Sequence, residues 1–207
     1  MSVGLIILAA GGSTRLGSPK QLLRYGEETL IRRAANAAVA SQCDRVEIVI
    51  GSRAQEMRRE LEGLLVSIVE NPDWQSGMSS SIRVGIEEVS DDDAALIMLC
   101  DQPFVTTALL NSLIESYRRS GMPIVASDYG DVLGVPAVFS RGLFGELKSL
   151  VADEGARRII AKYAEMVATI EFAGGRVDVD TSDDVRRLVE QDFRILKNYK
   201  INLENPA

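Results

Sequence analysis

Val3-Gly4-Leu5-Ile6-Ile7-Leu8-Ala9-Ala10-Gly11-Gly12-Ser13-Thr14-Arg15-Leu16-Gly17-Ser18-Pro19-Lys20 decides how this chain folds. Residues 3–8 are apolar without alternation, the pattern of a strand covered on both faces, and Ala-Ala-Gly-Gly stops that strand in a tight turn. The same kind of unit recurs downstream, with extended segments expected at 46–50, 66–69, 94–99, 124–126, 135–138, 166–170 and 177–179. Between them, helical spacing of apolar residues predicts helices at 28–40, 54–61, 78–89, 106–119, 141–151, 154–163 and 182–196, several opened by Ser or Thr. Strands buried on both faces and alternating with helices specify an α/β chain of three layers, a mostly parallel sheet with helices on both faces. No repeat or low-complexity linker divides it, so residues 1–196 are expected to form a single domain, followed by a polar tail at 197–207.

Composition narrows the chemistry. The chain has 207 residues, 23 Lys and Arg against 30 Asp and Glu for a net charge of −7, and no histidine. A Ser-His-Asp or Cys-His relay, a histidine metal ligand and an imidazole acid or base are all excluded. Chemistry must then run on carboxylates, Lys, Arg, hydroxyls, backbone dipoles or an oxygen-ligated metal. The acidic balance, without a basic stripe, argues against nucleic acid as a partner. No apolar run approaches the ~20 residues of a membrane span, and the amino end lacks the pattern of a signal peptide. Cys43 and Cys100 stand far apart in apolar surroundings, as buried thiols do, and the expected compartment is the reducing cytoplasm.

In an open α/β sheet, ligands sit beyond the carboxyl ends of the strands, which directs attention to the loop after the first strand. From Leu8 through Ala9, Ala10, Gly11 and Gly12 its residues are small enough for backbone N–H groups to approach and cradle phosphates. Arg15 and Lys20 add two cations to an otherwise acidic chain, which suits an anionic ligand. The loop fits neither GxxxxGK[ST], because Lys20 follows Pro19 and precedes Gln21, nor GxGxxG, because Gly11, Gly12 and Gly17 are wrongly spaced.

The segment LAAGGSTRLGSPKQLL resembles the AAGxGxRMGxxKxLL signature of nucleotidyltransferases with the glycosyltransferase-A-like, Rossmann-like fold. Within that superfamily the chain is most similar to the molybdenum cofactor nucleotidyltransferases, in particular their cytidylyltransferase branch. The likeness continues through Asn71-Pro72-Asp73-Trp74-Gln75-Ser76-Gly77-Met78-Ser79-Ser80-Ser81 and Leu99-Cys100-Asp101-Gln102-Pro103. It extends to Gly134-Val135-Pro136, Asp153-Glu154-Gly155-Ala156-Arg157 and Val179-Asp180-Thr181-Ser182-Asp183-Asp184. Two positions depart from the pattern: Leu16 stands where Met is usual, and Ser182 where Pro is frequent.

The resemblance implies an enzyme that moves CMP from CTP to the terminal phosphate of molybdopterin and releases pyrophosphate. The rivals are the same fold using GTP or a sugar or alditol phosphate, and a non-catalytic module that binds the molybdenum cofactor and delivers it. A molybdoenzyme or a maturation chaperone is the expected protein partner. Asp101, at the end of an apolar strand, is the expected first ligand of Mg²⁺, with Mn²⁺ as the alternative ion. Asp180 is the expected second ligand and Asp178 its alternative, although VDVDTSDD also reads as an acidic helix start. Arg15 and Lys20 would neutralise the departing pyrophosphate. The resemblance further implies that Ser81 and Asn71 line the nucleotide pocket, that Ala9, Ala10 and Gly11 offer backbone groups to the base, and that Arg157 meets the acceptor phosphate. On the residues alone, Ser79 to Ser81 read as simple helix caps, Arg157 equally as a solvated helix start, and Trp74 as either a stacking ring or a core anchor.

Overall fold

A computed structural model of the chain describes residues 1–13 and 19–176. Arg15, Asp178 and Asp180 lie outside the described residues, as do the expected strand at 177–179, the helix at 182–196 and the tail at 197–207.

The first strand, β1 (Val3–Ala9), is buried at all seven positions, as its continuous apolar run requires. Its side chains alternate between two cores: Val3, Leu5, Ile7 and Ala9 enter one, Ile6 and Leu8 the other. Then follow a two-stranded hairpin, β2 (Arg24–Tyr25) and β3 (Glu28–Thr29), and helix α1 (Leu30–Val39). The helix expected from residue 28 therefore starts two residues late. Thr29 ends the hairpin and caps α1 through its side chain, which accepts the Arg32 N–H. Next come β4 (Arg45–Ile50), α2 (Ala54–Glu60), β5 (Ser67–Glu70), α3 (Met78–Glu88) and β6 (Ala94–Leu99). The second half comprises α4 (Thr107–Ser120), β7 (Ile124–Asp128), β8 (Leu133–Ser140), α5 (Phe144–Lys148), α6 (Arg157–Lys162) and β9 (Val167–Glu171).

Seven strands form one sheet in the order β5-β4-β1-β6-β8-β7-β9. Strands β5, β4, β1 and β6 run parallel, while β8 pairs antiparallel with both β6 and β7, and β9 rejoins parallel to β7. Helices α1 and α4 pack on one face with Met57 of α2, and α3, α5 and α6 on the other. The fold is the expected three-layer α/β arrangement, with one reversed strand that periodicity does not reveal. The expected helix at 141–151 divides into a 3-10 turn and the short α5, and α6 starts at Arg157 rather than 154.

The chain moves outward from β1 through β4 to β5, then α3 carries it across the opposite face to β6, on the other side of β1. The carboxyl ends of β1 and β6 thus adjoin at the reversal of strand order, where such sheets open a crevice.

Candidate active site

That crevice is a cavity of about 320 Å³ lined by the Leu8–Ser13 loop, Lys20, Gln21, Trp74, Ser81 and Asp101. The loop is held in shape by a residue the motif reading left without a role. Gln21 is 1% exposed, and its Nε2 donates to the carbonyls of Ala9 at 2.9 Å and Gly11 at 2.7 Å. The Ala10 carbonyl accepts from the Ser52 N–H at 3.0 Å. All three carbonyls of the turn are therefore engaged by the protein, while the N–H groups of Gly11 and Gly12 make no hydrogen bond within the described residues. Ser13, with φ at 50°, turns the chain back, and its Oγ accepts the Lys20 N–H at 2.9 Å. A side chain at Gly12 would put its Cβ 2.8 Å from the Trp74 ring, and Gly51 meets the same residue equally closely. Trp74 thus packs across two glycines at the cavity edge and against the α3-side core, which is the anchoring one of the two roles open to it in the sequence.

Lys20 and Asp101, 81 residues apart, meet as an ion pair through Nζ and Oδ2. Asp101 is 5% exposed, and its Oδ1 is buried without a hydrogen-bond partner among the described residues. An ionised carboxylate oxygen left bare at a cavity wall is costly unless a cation or donor completes it. Asp101 therefore fits a ligand for a hard cation. Among the described residues no three acidic, Cys or His side chains gather as a protein-only metal cage. A single carboxylate suits an ion that takes its remaining oxygens from phosphate and water. Beside it, burial first and the Asp101 charge second push the Cys100 thiol far above its usual range, which keeps it protonated and non-nucleophilic.

The serines opening α3 do not cap it. Gly77, with φ at +102°, occupies the N-cap position and makes no side-chain cap. Asn71 is 1% exposed and lies behind the wall instead of on it: its Nδ2 donates to Ser80 Oγ at 2.8 Å and to Ser81 Oγ at 3.0 Å, and its Oδ1 accepts the Asp73 N–H at 3.0 Å. Ser81 itself lines the cavity, held by Asn71.

A second cavity of about 270 Å³ adjoins the first and shares Leu8, Met78, Leu99 and Asp153 with it. Its walls are largely apolar, with Gln102, Tyr129 and Arg157 among the polar exceptions. Gln102 Nε2 donates to Tyr129 Oη at 3.1 Å, and Tyr129 Oη donates to the Val135 carbonyl. The two adjacent arginines separate here. Arg158 pairs with Glu154, whereas Arg157 lines the cavity with no hydrogen bond or ion pair among the described residues. The structure thus gathers Leu8, Ala9, Ala10, Gly11, Gly12, Lys20, Ser81 and Asp101 around one cavity, sets Arg157 in the adjoining one, and withdraws Asn71 behind both.

Comparison with known proteins agrees with this fold. Over 200 residues the chain is 36% identical to nicotine blue oxidoreductase of Paenarthrobacter nicotinovorans, covering 92% of this chain and 95% of that one. The crystal structure of Rv0371c from Mycobacterium tuberculosis H37Rv superposes with a TM-score of 0.79 at 33% identity, covering 92% of this chain and 98% of that one. A structure of Rv0371c in complex with manganese gives a TM-score of 0.75 at 31% identity, over 92% of this chain and 99% of that one. Residues 5–167 match the model of the MobA-like NTP transferase domain, a span that runs from the first buried strand past Arg157 and takes in both cavities. By that match, the chain belongs to the MobA-like NTP transferase domain family and is a nucleotidyltransferase.

Proposed function

We propose that this nucleotidyltransferase transfers CMP from CTP to the terminal phosphate of molybdopterin and releases pyrophosphate. The observation that carries the reading is the Lys20–Asp101 pair beneath the glycine-rich turn, where a cation and a half-satisfied carboxylate share one wall. A triphosphate needs both, a positive group against its oxygens and an anchor for its counter-ion. The first cavity would take CTP, with the N–H groups of Gly11 and Gly12 and the Ser81 hydroxyl as donors. Ala10 supports cytosine over guanine, because its methyl fills room that a glycine would leave for a purine. The second cavity would take the acceptor, its apolar walls against the pterin and the Arg157 guanidinium against the phosphate.

Mg²⁺ on Asp101, with Mn²⁺ as the alternative and Asp180 or Asp178 as second ligand, would supply charge neutralisation across the triphosphate oxygens. The manganese in the Rv0371c complex supports a divalent ion for the fold. The acceptor phosphate oxygen forms a bond to the α-phosphorus while the bond to the pyrophosphate oxygen breaks. That oxygen is already anionic at neutral pH, so no general base is needed, in keeping with a chain that has no histidine. Lys20 and Arg15 hold the departing charge, and the walls align attacking and leaving oxygens, so catalysis rests on positioning and electrostatics.

The test is incubation with Mg²⁺, molybdopterin and each of the four nucleoside triphosphates, following pyrophosphate. Release with CTP is expected. Release with GTP moves the reading to guanylyl transfer, and release only with a sugar or alditol phosphate moves the acceptor. No release alongside tight molybdopterin binding replaces the enzyme reading with a delivery module. The name of the P. nicotinovorans relative favours a second, redox reading, tested separately by supplying nicotine blue as electron acceptor with a reduced nicotinamide dinucleotide as donor and following the loss of both absorbances.

A further inference from the structure

The Lys20–Asp101 contact joins two loops that no strand pairing connects, and one side chain outside the cavity bridges them. Arg33 sits half-buried on α1. Its Nε donates to the Pro103 carbonyl at 2.7 Å, two residues after Asp101. The same guanidinium lies 5.0 Å from the ring centroid of Tyr25, five residues after Lys20. Tyr25 in turn meets Phe104 edge to face, with centroids 6.1 Å apart at 82°, Leu30 and Leu23 complete this small cluster, and Phe104 also packs against the core on the α1 and α4 side. A half-buried arginine on a helix surface ordinarily finds a carboxylate or water. Among the described residues Arg33 has no carboxylate partner, and is committed to a carbonyl and a ring. A planar guanidinium, unlike a lysine ammonium, can stack on a ring and donate in its own plane at once.

We propose that Arg33 is a positioning residue that clasps the segment carrying Lys20 to the segment carrying Asp101 and so sets their contact in the cavity. The consequence for phosphate handling rests on the reading of that pair given above, but the clasp itself does not. The 3-10 turn Lys20–Leu22 leads within three residues to Tyr25, and Asp101 is followed within three by Phe104. Each arm is short, so fixing Tyr25 against Phe104 leaves Lys20 and Asp101 little freedom to part. Pinning the Pro103 carbonyl then fixes the height of the Asp101 loop above the sheet.

The experiment compares the full chain with its Arg33→Met variant in two ways. The first is amine acetylation read by mass spectrometry, with Lys148 and Lys162 as internal references. Loss of the clasp is expected to raise modification of Lys20 at least about fivefold relative to the references, whereas general destabilisation raises all three together. The second is binding of inorganic tripolyphosphate with Mg²⁺, in the Lys20 and Lys20→Ala backgrounds. Arg33→Met is expected to weaken affinity about five- to tenfold when Lys20 is present and less than twofold when it is absent, because a residue acting through Lys20 has nothing left to act on. Unchanged Lys20 labelling, or equal losses in both backgrounds, overturns the clasp. Enhanced labelling in a chain whose parent binds no tripolyphosphate leaves the clasp standing and removes the phosphate reading. Should Arg33→Met fail to fold, Phe104→Leu, which breaks the same contact from the other arm, is carried through the same measurements with the same outcomes deciding.

Discussion

The two oxygens of Asp101 are unlike: one pairs with Lys20, and the other is buried with no hydrogen-bond partner among the described residues. Replacing it by Asn keeps the shape and removes the anchor for a cation. Asp101→Asn is expected to lower the rate of pyrophosphate release by roughly 10²–10⁴ while the far-UV spectrum is unchanged. Rates within threefold of the parent would take Asp101 out of the chemistry. Glu47 is a buried carboxyl of another kind. Burial raises its pKa most, with the charges of Glu88 and Asp92 adding, while the Ser67 hydroxyl and Arg45 oppose. Ionisation thus costs more in the folded than in the unfolded chain. Below the ordinary carboxyl range both states are protonated and stability is unaffected; as pH rises through that range, the folded state loses ground. Glu47→Gln is therefore expected to raise Tm at pH 7 and leave it unchanged near pH 3.5, and equal shifts at both values would refute the burial argument. Of the site residues, Lys20 and Asp101 were legible separately, from a loop cation and from an acid ending an apolar strand. Their meeting was not, since contact across 81 residues is a property of the sheet order. The hydrogen bonds of Asn71 to Ser80 and Ser81 were not legible for a related reason: a buried amide that serves two hydroxyls has the same sequence appearance as one that faces a ligand.

The elements read most directly from sequence are β1, β4 and β6, because strands covered on both faces need unbroken apolar runs. The hairpin β2–β3 escaped, since two-residue strands have no period to detect, and its last residue doubles as the cap of α1. The direction of β8 also escaped, because alternation reports which faces are buried and not which way a strand points. The start of α3 depends on a glycine for a reason now explicit. Gly77 has φ at +102°, and a Cβ there would stand 2.4 Å from the Ala152 carbonyl group. Gly77→Ala must strain the backbone and displace the 152–153 turn, which carries Asp153 into both cavities. The backbone strain alone is of order 1–3 kcal/mol. Chemical denaturation is expected to show a loss of at least ~2 kcal/mol, together with weaker nucleotide binding. A loss under about 0.5 kcal/mol would mean that the turn yields freely.

Across the whole molecule, the two cores are not independent. Leu5 and Ile7 of β1 and Leu96 of β6 build one layer, while Ile6, Leu8, Ala95 and Ile97 of the same strands build the other. Neither layer can be lost without dismantling strands the other requires, and the antiparallel half of the sheet is attached through β6 itself. This coupling predicts a single unfolding transition. The chain supplies its own reporter, since its one tryptophan, Trp74, packs over Gly12 and Gly51 at the edge of the first cavity, whereas far-UV circular dichroism averages over every element. The two signals are expected to share one midpoint in denaturant. Leu96→Ala, a fully buried truncation, is expected to move both together by about 2–5 kcal/mol. A Trp74 transition that came first would mean that the cavity edge opens while the sheet persists, and the two layers would then have to be treated as separate units. Coincidence under mutation is the stricter condition: a truncation in the layer of α1 and α4 must reach Trp74, which packs with the opposite layer, and it can do so only through the shared strands.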